Sequence, residues 1–121
     1  MSTTELGKEL RRLRIDQDER LFDMAIRLGL SSAFISNIES GRKSPPVGFE
    51  EQIINCYHLN AEQAVGLRIS ADRSRKAFKL EANSQLQRDT AGLMARRMDL
   101  LSPNELSSIL SILKKNSERQ G

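Results

Sequence analysis

The chain has few of the residues on which several protein classes depend. Its 121 residues include one cysteine, one histidine, one tyrosine and no tryptophan. The single cysteine, Cys56, cannot form an internal disulfide, which favours a reducing compartment and a cytoplasmic location. No stretch approaches the roughly 18 apolar residues of a membrane-spanning helix, and the first residues lack the apolar run of a secretory signal. We therefore expect no association with a membrane.

Signatures of catalysis and of metal binding are also missing from the sequence. It contains no glycine-rich phosphate loop, no H-E-x-x-H motif and no nucleophile elbow. Cys56 and His58 are two positions apart, so on a helix they would lie on different faces and could not share a metal ion. The chain is also too short for a catalytic α/β barrel. We predict that the protein is not an enzyme and needs no metal or other cofactor.

The residues that are present form a series of amphipathic segments. Hydrophobic residues make up 38% of the chain and charged residues 29%, which is the composition of an ordinary globular protein. Apolar residues recur with helical spacing in five stretches up to residue 67, and two more helical stretches follow, over residues 84–101 and from Ser102. The predicted fold class is all-α. One short strand is allowed at residues 77–82, where apolar and polar residues alternate in the middle.

The stretch Leu21–Gly41 has the most specific pattern. A helix over residues 21–28 ends at Gly29, and Ser31 can cap a second helix that stops at Gly41. Two short helices joined by a tight turn are typical of a helix-turn-helix. In a DNA-binding unit of this kind, the second helix lies in the major groove.

Residues 6–66 resemble the helix-turn-helix domain of the XRE/Cro/C1-type phage repressors. Three pieces of sequence account for the likeness: LGKELRRLR, LFDMAIRLGL and SSAFISNIESGRKSP. The last piece is the most specific, because it fixes several positions at once. The resemblance implies a five-helix, lambda-repressor-like domain over residues 1–67 whose partner is double-stranded DNA.

The resemblance also implies which side chains contact bases. They are four short residues on the outward face of the third helix: Ser32, Ala33, Ser36 and Asn37. The amide of Asn37 can form two hydrogen bonds with adenine, and the methyl group of Ala33 can touch the methyl group of thymine. Because all four are short, this helix would have to lie close to the bases.

Further roles follow from the same resemblance. The phosphate contacts would come from Arg42, Lys43 and the loop up to Ser44. Arg14 stands at the position of the family's buried arginine and Glu39 at that of its glutamate partner. Their pairing would tie the first helix to the end of the recognition helix, although two solvated charges are the alternative.

Two departures from the family pattern lower the affinity that we expect for DNA. Leu21 stands where the family has a phosphate-binding glutamine, and three acids lie in the turn over residues 16–20. Residues 1–66 carry a net charge of −2, whereas residues 67–121 carry +5. The basic residues at 68–79 either supply part of the missing attraction to phosphates or form a solvated linker.

Two functional hypotheses differ in the role that they give to the second half of the chain. We predict a basic linker or short strand over residues 68–83, a helical hairpin over 84–115 and a frayed tail over 116–121. This half contains more apolar side chains than a five-helix domain with its own core can cover. They form a candidate interface: Phe78, Leu86, Leu93, Met94, Met98, Leu106, Ile109, Leu110 and Leu113.

The occupant of this interface decides the function. If it is a second copy, the protein is a dimeric repressor of an inverted-repeat operator. If it is another protein, the chain is an antitoxin-type or prophage-type regulator that binds DNA to regulate its own expression. The partner would then be a toxin or a metalloprotease of the ImmA/IrrE type.

Overall fold

The computed structural model describes residues 3–120, and of residue 120 only the backbone. The described residues form seven α-helices, and a short 3₁₀ turn, Met98–Leu100, follows the sixth. The helices are α1 (Glu5–Asp16), α2 (Leu21–Leu28), α3 (Ser32–Glu39), α4 (Phe49–Cys56), α5 (Ala61–Arg73), α6 (Gln85–Arg97) and α7 (Pro103–Gln120). The predicted all-α class is confirmed. Within residues 3–120 there is no strand, because the segment at 77–82 has no second strand beside it to complete a ladder.

The chain divides into two units, residues 1–78 and residues 79–121. Two predicted boundaries are wrong. Residues 68–73 belong to α5 and not to a linker, and residues 116–120 continue α7 rather than fraying. The first error arose because the buried face of α5 is made partly of small residues, Ala64 and Ala71, on either side of Leu67. The second arose because the tail is polar, although its lysine, glutamate, arginine and glutamine residues are good helix formers.

The first unit has one hydrophobic core to which all five of its helices contribute. The apolar stripes anticipated from the sequence face inward, and several of their side chains are completely buried. The buried core consists of Leu6, Leu10, Met24, Ala25, Leu28, Ile35, Ile38, Phe49, Ile53, Tyr57, Leu67 and Ala71. This core fixes the position of α3 relative to the other helices.

Local signals set the ends of the central helices. Gly29 ends α2 in the left-handed conformation (φ 69°), which a glycine adopts without steric cost. The Ser31 hydroxyl then accepts a hydrogen bond from the Phe34 amide at the start of α3. α2 and α3 together are bent by 108°. In the described part of the chain no single helix is long and apolar enough to cross a membrane, and only this bent pair passes the same test of length and composition.

The first turn of α1 lies directly against the end of α3. The backbone amide and the hydroxyl of Thr4 both donate to the Glu39 carbonyl, at 3.0 Å each. Gly7 makes this approach possible, because a Cβ atom at that position would lie 2.4 Å from the same oxygen. The Thr4 hydroxyl also accepts from the Gly7 amide at 3.0 Å. Thr4 therefore caps the start of α1 and satisfies a carbonyl at the end of α3.

The second unit consists of α6, the 3₁₀ turn and α7. The Ser84 hydroxyl caps α6, and Ser102 and Glu105 form a reciprocal capping pair at the start of α7. No side chain of α6 is buried, although the structure describes the whole helix. The large exposed apolar side chains of this unit are Leu80, Leu86, Leu93, Met98, Leu100, Leu106, Leu110, Ile112 and Leu113. The unit therefore has well-capped helices with little core between them.

Candidate nucleic-acid interface

The third helix presents a buried side and an exposed side. Its buried side chains are Ile35, Ile38 and Glu39. The predicted base-contacting residues lie on the other side, where the helical repeat places them on one face. Ala33 and Ser36 are exposed, and Ser32 and Asn37 are half-buried. These short side chains let the helix backbone come close to whatever docks on this face.

The loop between α3 and α4 follows this face directly and contains the predicted phosphate contacts. Arg42, Lys43 and Ser44 are all exposed in it. The Lys43 amide donates to the Asn37 carbonyl at 3.1 Å, and the Lys43 ammonium lies 4.7 Å from the centre of the Phe34 ring. The loop thereby holds the Lys43 ammonium against an aromatic ring of α3, a favourable cation–π contact.

A buried ion pair joins α1 to the end of α3. The structure brings Arg14 and Glu39 together in a two-bond contact, and the second bond, from Nη2 to Oε1, measures 3.2 Å. The two side chains are 10% and 6% exposed. Arg14 also donates to the sulfur of Met24 at 3.3 Å, and Arg11 lies 3.8 Å from the Glu39 carboxylate. The Arg14 guanidinium, on α1, therefore contacts side chains of both α2 and α3.

Comparison with known proteins agrees with this geometry. A family model of helix-turn-helix domains matches residues 5–65, just over half of the chain. The chain belongs to the helix-turn-helix domain family. No curated protein and no solved structure matches it. The resemblance read from the sequence is confirmed at the level of this family, which supports a DNA-binding regulator.

Sequence reasoning missed a polar cluster that braces the helix-turn-helix domain from the side of α4. The Tyr57 hydroxyl donates to Glu19 at 2.7 Å. Arg27 forms an ion pair with Glu19, lies 4.5 Å above the Tyr57 ring and donates to the Cys56 carbonyl. Burial, followed by the bond to the Glu19 carboxylate, raises the pKa of Tyr57 well above its ordinary value. Glu19, one of the acids expected to repel phosphates, is therefore compensated within the domain.

The start of α2 differs from a typical phosphate clamp. The Asp23 carboxylate accepts a hydrogen bond from the Arg20 amide at 2.8 Å. A helix N-terminus is ordinarily a favourable place for an anion, and here the chain's own carboxylate occupies it. Together with Leu21 in place of the family's glutamine, this geometry weakens the case for a phosphate contact at α2.

Most of the basic segment at residues 68–79 is neutralised by acids of the same unit. Arg68 forms two bonds with Glu51, at 2.8 and 2.9 Å, and Arg73 lies 3.1 Å from Glu5. The hydrogen bonds from Arg68 lower the pKa of the Glu51 carboxyl. Arg75 forms a third pair, with Glu50 at 2.7 Å. These contacts favour a structural role for the arginines over direct attraction of DNA.

Proposed function

We propose that the protein is a sequence-specific transcriptional regulator of the XRE type that reads double-stranded DNA with α3. The observation that supports this most directly is the exposed face of short side chains on α3, held in place by the buried Arg14–Glu39 pair. The face is flanked by a loop that holds Arg42 and Lys43. A helix of this kind can enter a major groove while the loop contacts the backbone.

In the proposed mode of DNA binding, two sets of residues have different roles. Asn37 pairs with an adenine edge, while the Ser36 hydroxyl donates or accepts and the Ala33 methyl group contacts thymine. The loop residues contact phosphates, which position the helix but do not discriminate between sequences. Affinity for unrelated DNA is modest, because Arg68, Arg73 and Arg75 are paired with acids of the first unit and add little attraction for phosphates.

We further propose that two copies act together as a repressor of an inverted-repeat operator. A single module of this kind buries only roughly 600–1,000 Å² of its surface on DNA, so a second contact made by a tethered copy raises the affinity. The predicted interface supplies the means to join two copies. Seven of its nine residues are exposed, and only Met94 and Ile109 are half-buried.

A second candidate function is that of an antitoxin-type or prophage-type regulator. A groove of about 540 Å³ lies between α6 and α7, and its apolar lining includes Leu93, Met94, Leu101, Ile109 and Leu113. A groove of this kind can accept an apolar element of another protein. A toxin or a metalloprotease of the ImmA/IrrE type would be the partner, and DNA binding would serve self-regulation.

Selection of bound fragments from a pool of random DNA tests the proposal. We expect recovered fragments to share an inverted repeat, with half-sites one or two helical turns apart. Recovery of fragments without any shared sequence would contradict sequence-specific binding. A shared but unrepeated half-site, together with a monomeric protein in sedimentation, would favour the second candidate.

A further inference from the structure

Arg75 joins the end of the first unit to the loop that follows the recognition helix. It lies two residues beyond α5, and its guanidinium donates to the carbonyls of Pro45 and Pro46 at 3.1 and 2.9 Å. The same group forms two bonds with the Glu50 carboxylate, at 2.9 and 2.7 Å. It also lies 3.4 Å from Asp72. One side chain therefore connects the chain after α5, the α3–α4 loop and the first turn of α4.

The surroundings of Arg75 differ from those of the other arginine pairs in this region. The Arg75 and Glu50 side chains are 11% and 13% exposed, whereas those of Arg68 and Glu51 are 47% and 51% exposed. The hydrogen bonds from Arg75 also lower the pKa of the Glu50 carboxyl. A charged hydrogen-bonded group sheltered from water is held more firmly than a surface pair.

The α3–α4 loop needs such a tether because much of it is irregular. It begins and ends at glycines in the left-handed conformation, Gly41 and Gly48. The Pro45 carbonyl accepts from Arg75, the Pro46 carbonyl accepts from both Arg75 and the Phe49 amide, and the Ser44 hydroxyl donates to the Ser74 carbonyl at 3.4 Å. Besides its local backbone bonds, the loop is therefore held by Ser74 and Arg75, which lie about thirty positions further along the chain.

We propose that Arg75 is a positioning residue for DNA binding: it holds the α3–α4 loop in the conformation in which the loop contacts phosphates. This inference rests on the proposed function. It extends the DNA-binding machinery beyond the family match, which ends at residue 65. Arg75 does this without touching DNA itself, through the backbone of the loop that contains Arg42, Lys43 and Ser44.

The test compares Arg75→Met with Arg68→Met in the full-length protein. The probes are a duplex selected from random DNA by the unaltered protein and a duplex of scrambled sequence. For Arg75→Met we expect affinity for both probes to fall on the order of tenfold, because the displaced loop loses one charge-assisted contact with a phosphate. The slope of log affinity against log salt should decrease by about one unit. Arg68→Met, which removes an exposed arginine–glutamate pair that does not contact the loop, should leave the slope unchanged.

A charge exchange distinguishes an effect on the position of the loop from an effect on the stability of the fold alone. The double variant Glu50→Arg/Arg75→Glu keeps an ion pair between the two positions, but a carboxylate at 75 cannot donate to the proline carbonyls. We expect it to recover much of the melting temperature that Arg75→Met loses without recovering DNA affinity. If Arg75→Met fails to fold, Arg75→Lys replaces it, because an ammonium keeps the charge but cannot span the carboxylate and both carbonyls.

The outcomes are distinguishable. An unchanged salt slope in folded Arg75→Met would overturn the inference, and so would a charge exchange that restores affinity together with stability. Absence of any DNA binding by the unaltered protein would overturn the proposed function and, with it, this inference.

Discussion

At the scale of single residues, the buried charges do more for the arrangement of the helices than the surface charges. The Arg14–Glu39 pair is almost fully sheltered and joins α1 to α3. Removing one member of a sheltered pair leaves the other charge without compensation, which costs much more than the pair contributes as a whole.

We therefore expect Arg14→Met and Glu39→Gln each to lower the free energy of unfolding by ~3–5 kcal/mol. Arg73→Met is the matched control, because Arg73 and Glu5 form a pair whose side chains are well exposed. It should cost less than ~1 kcal/mol. Denaturant midpoints measure all three. Equal small losses in the three variants would show that the buried pair does not fix the helices.

Tyr57 offers a second test at this scale, since it is the only tyrosine and there is no tryptophan. Its raised pKa means that the folded state favours the neutral phenol. Below the ordinary pKa of about 10 both states are protonated, so the contribution to stability is fully present there, and it declines as the pH rises above that value. In an ultraviolet titration we expect tyrosinate to appear at higher pH in the folded protein than in urea.

Glu19→Gln is the informative variant in this titration. It removes the acceptor charge but keeps the size of the side chain, and we expect the folded-state pKa of Tyr57 to move back toward its ordinary value. A folded-state titration that coincides with the urea curve before any substitution would contradict the burial of Tyr57 and its hydrogen bond to Glu19.

At the scale of elements, the contact between α1 and α3 depends on one missing side chain. Gly7→Ala would place a methyl group 2.4 Å from the Glu39 carbonyl and 2.6 Å from the Thr3 side chain. The helix ends would have to move apart, at the cost of the Thr4 hydrogen bonds. We expect a loss of roughly 1–3 kcal/mol, typical of overpacking, measured by thermal unfolding.

Gly66→Ala is the control for this substitution. Gly66 lies within α5, and a Cβ atom there would meet nothing within 4 Å. Alanine is the better helix former, so this variant should gain about 0.5–1 kcal/mol. If both variants gained stability, the close approach of α1 to α3 would not be limiting.

The recognition helix gives a prediction about DNA. Asn37→Ala should cost ~1–3 kcal/mol of specific binding and relax the preference at one base pair, because a base contact is lost. Arg42→Ala should instead weaken binding to all sequences about equally and lower the salt slope by roughly one unit. Binding assays on selected and scrambled duplexes measure both. If both variants lost only non-specific affinity, Asn37 would not read a base.

Elements with local signals could be predicted from the sequence, and those with distant partners could not. Gly29 and Ser31 mark the turn between α2 and α3 by their own chemistry. The bond between Glu19 and Tyr57 joins residues 38 positions apart, and no spacing rule connects them. The Arg14–Glu39 pair was anticipated only through resemblance to a family. The later half of α5 was missed because alanine and serine on its inner face weaken the apolar pattern.

At the scale of the whole molecule, the uneven charge has a structural explanation. The surplus of bases after residue 66 includes three arginines that pair with acids of α1 and α4. The two stretches of opposite net charge thus partly neutralise each other within residues 1–78. The first unit extends beyond residue 67 because Ala71 is buried in its core and Arg75 is bonded to its α3–α4 loop.

Truncated chains test where the first unit ends and which part of the chain joins two copies. A chain ending at Leu67 would lose the buried Ala71 and the tether Arg75, so it should be less stable than one ending at Phe78. The chain of residues 1–78 should be folded and monomeric, and it should lose most of its specific affinity.

The full-length protein should be a two-fold dimer, because the exposed apolar side chains of α6 and α7 are more than a soluble monomer usually leaves uncovered. Its two recognition helices should lie ~34 Å apart, or a multiple of that distance. Sedimentation of the three lengths, alongside binding to a selected inverted repeat, measures each step. A full-length protein that stays monomeric at micromolar concentration would contradict the dimer and leave those side chains to a different protein.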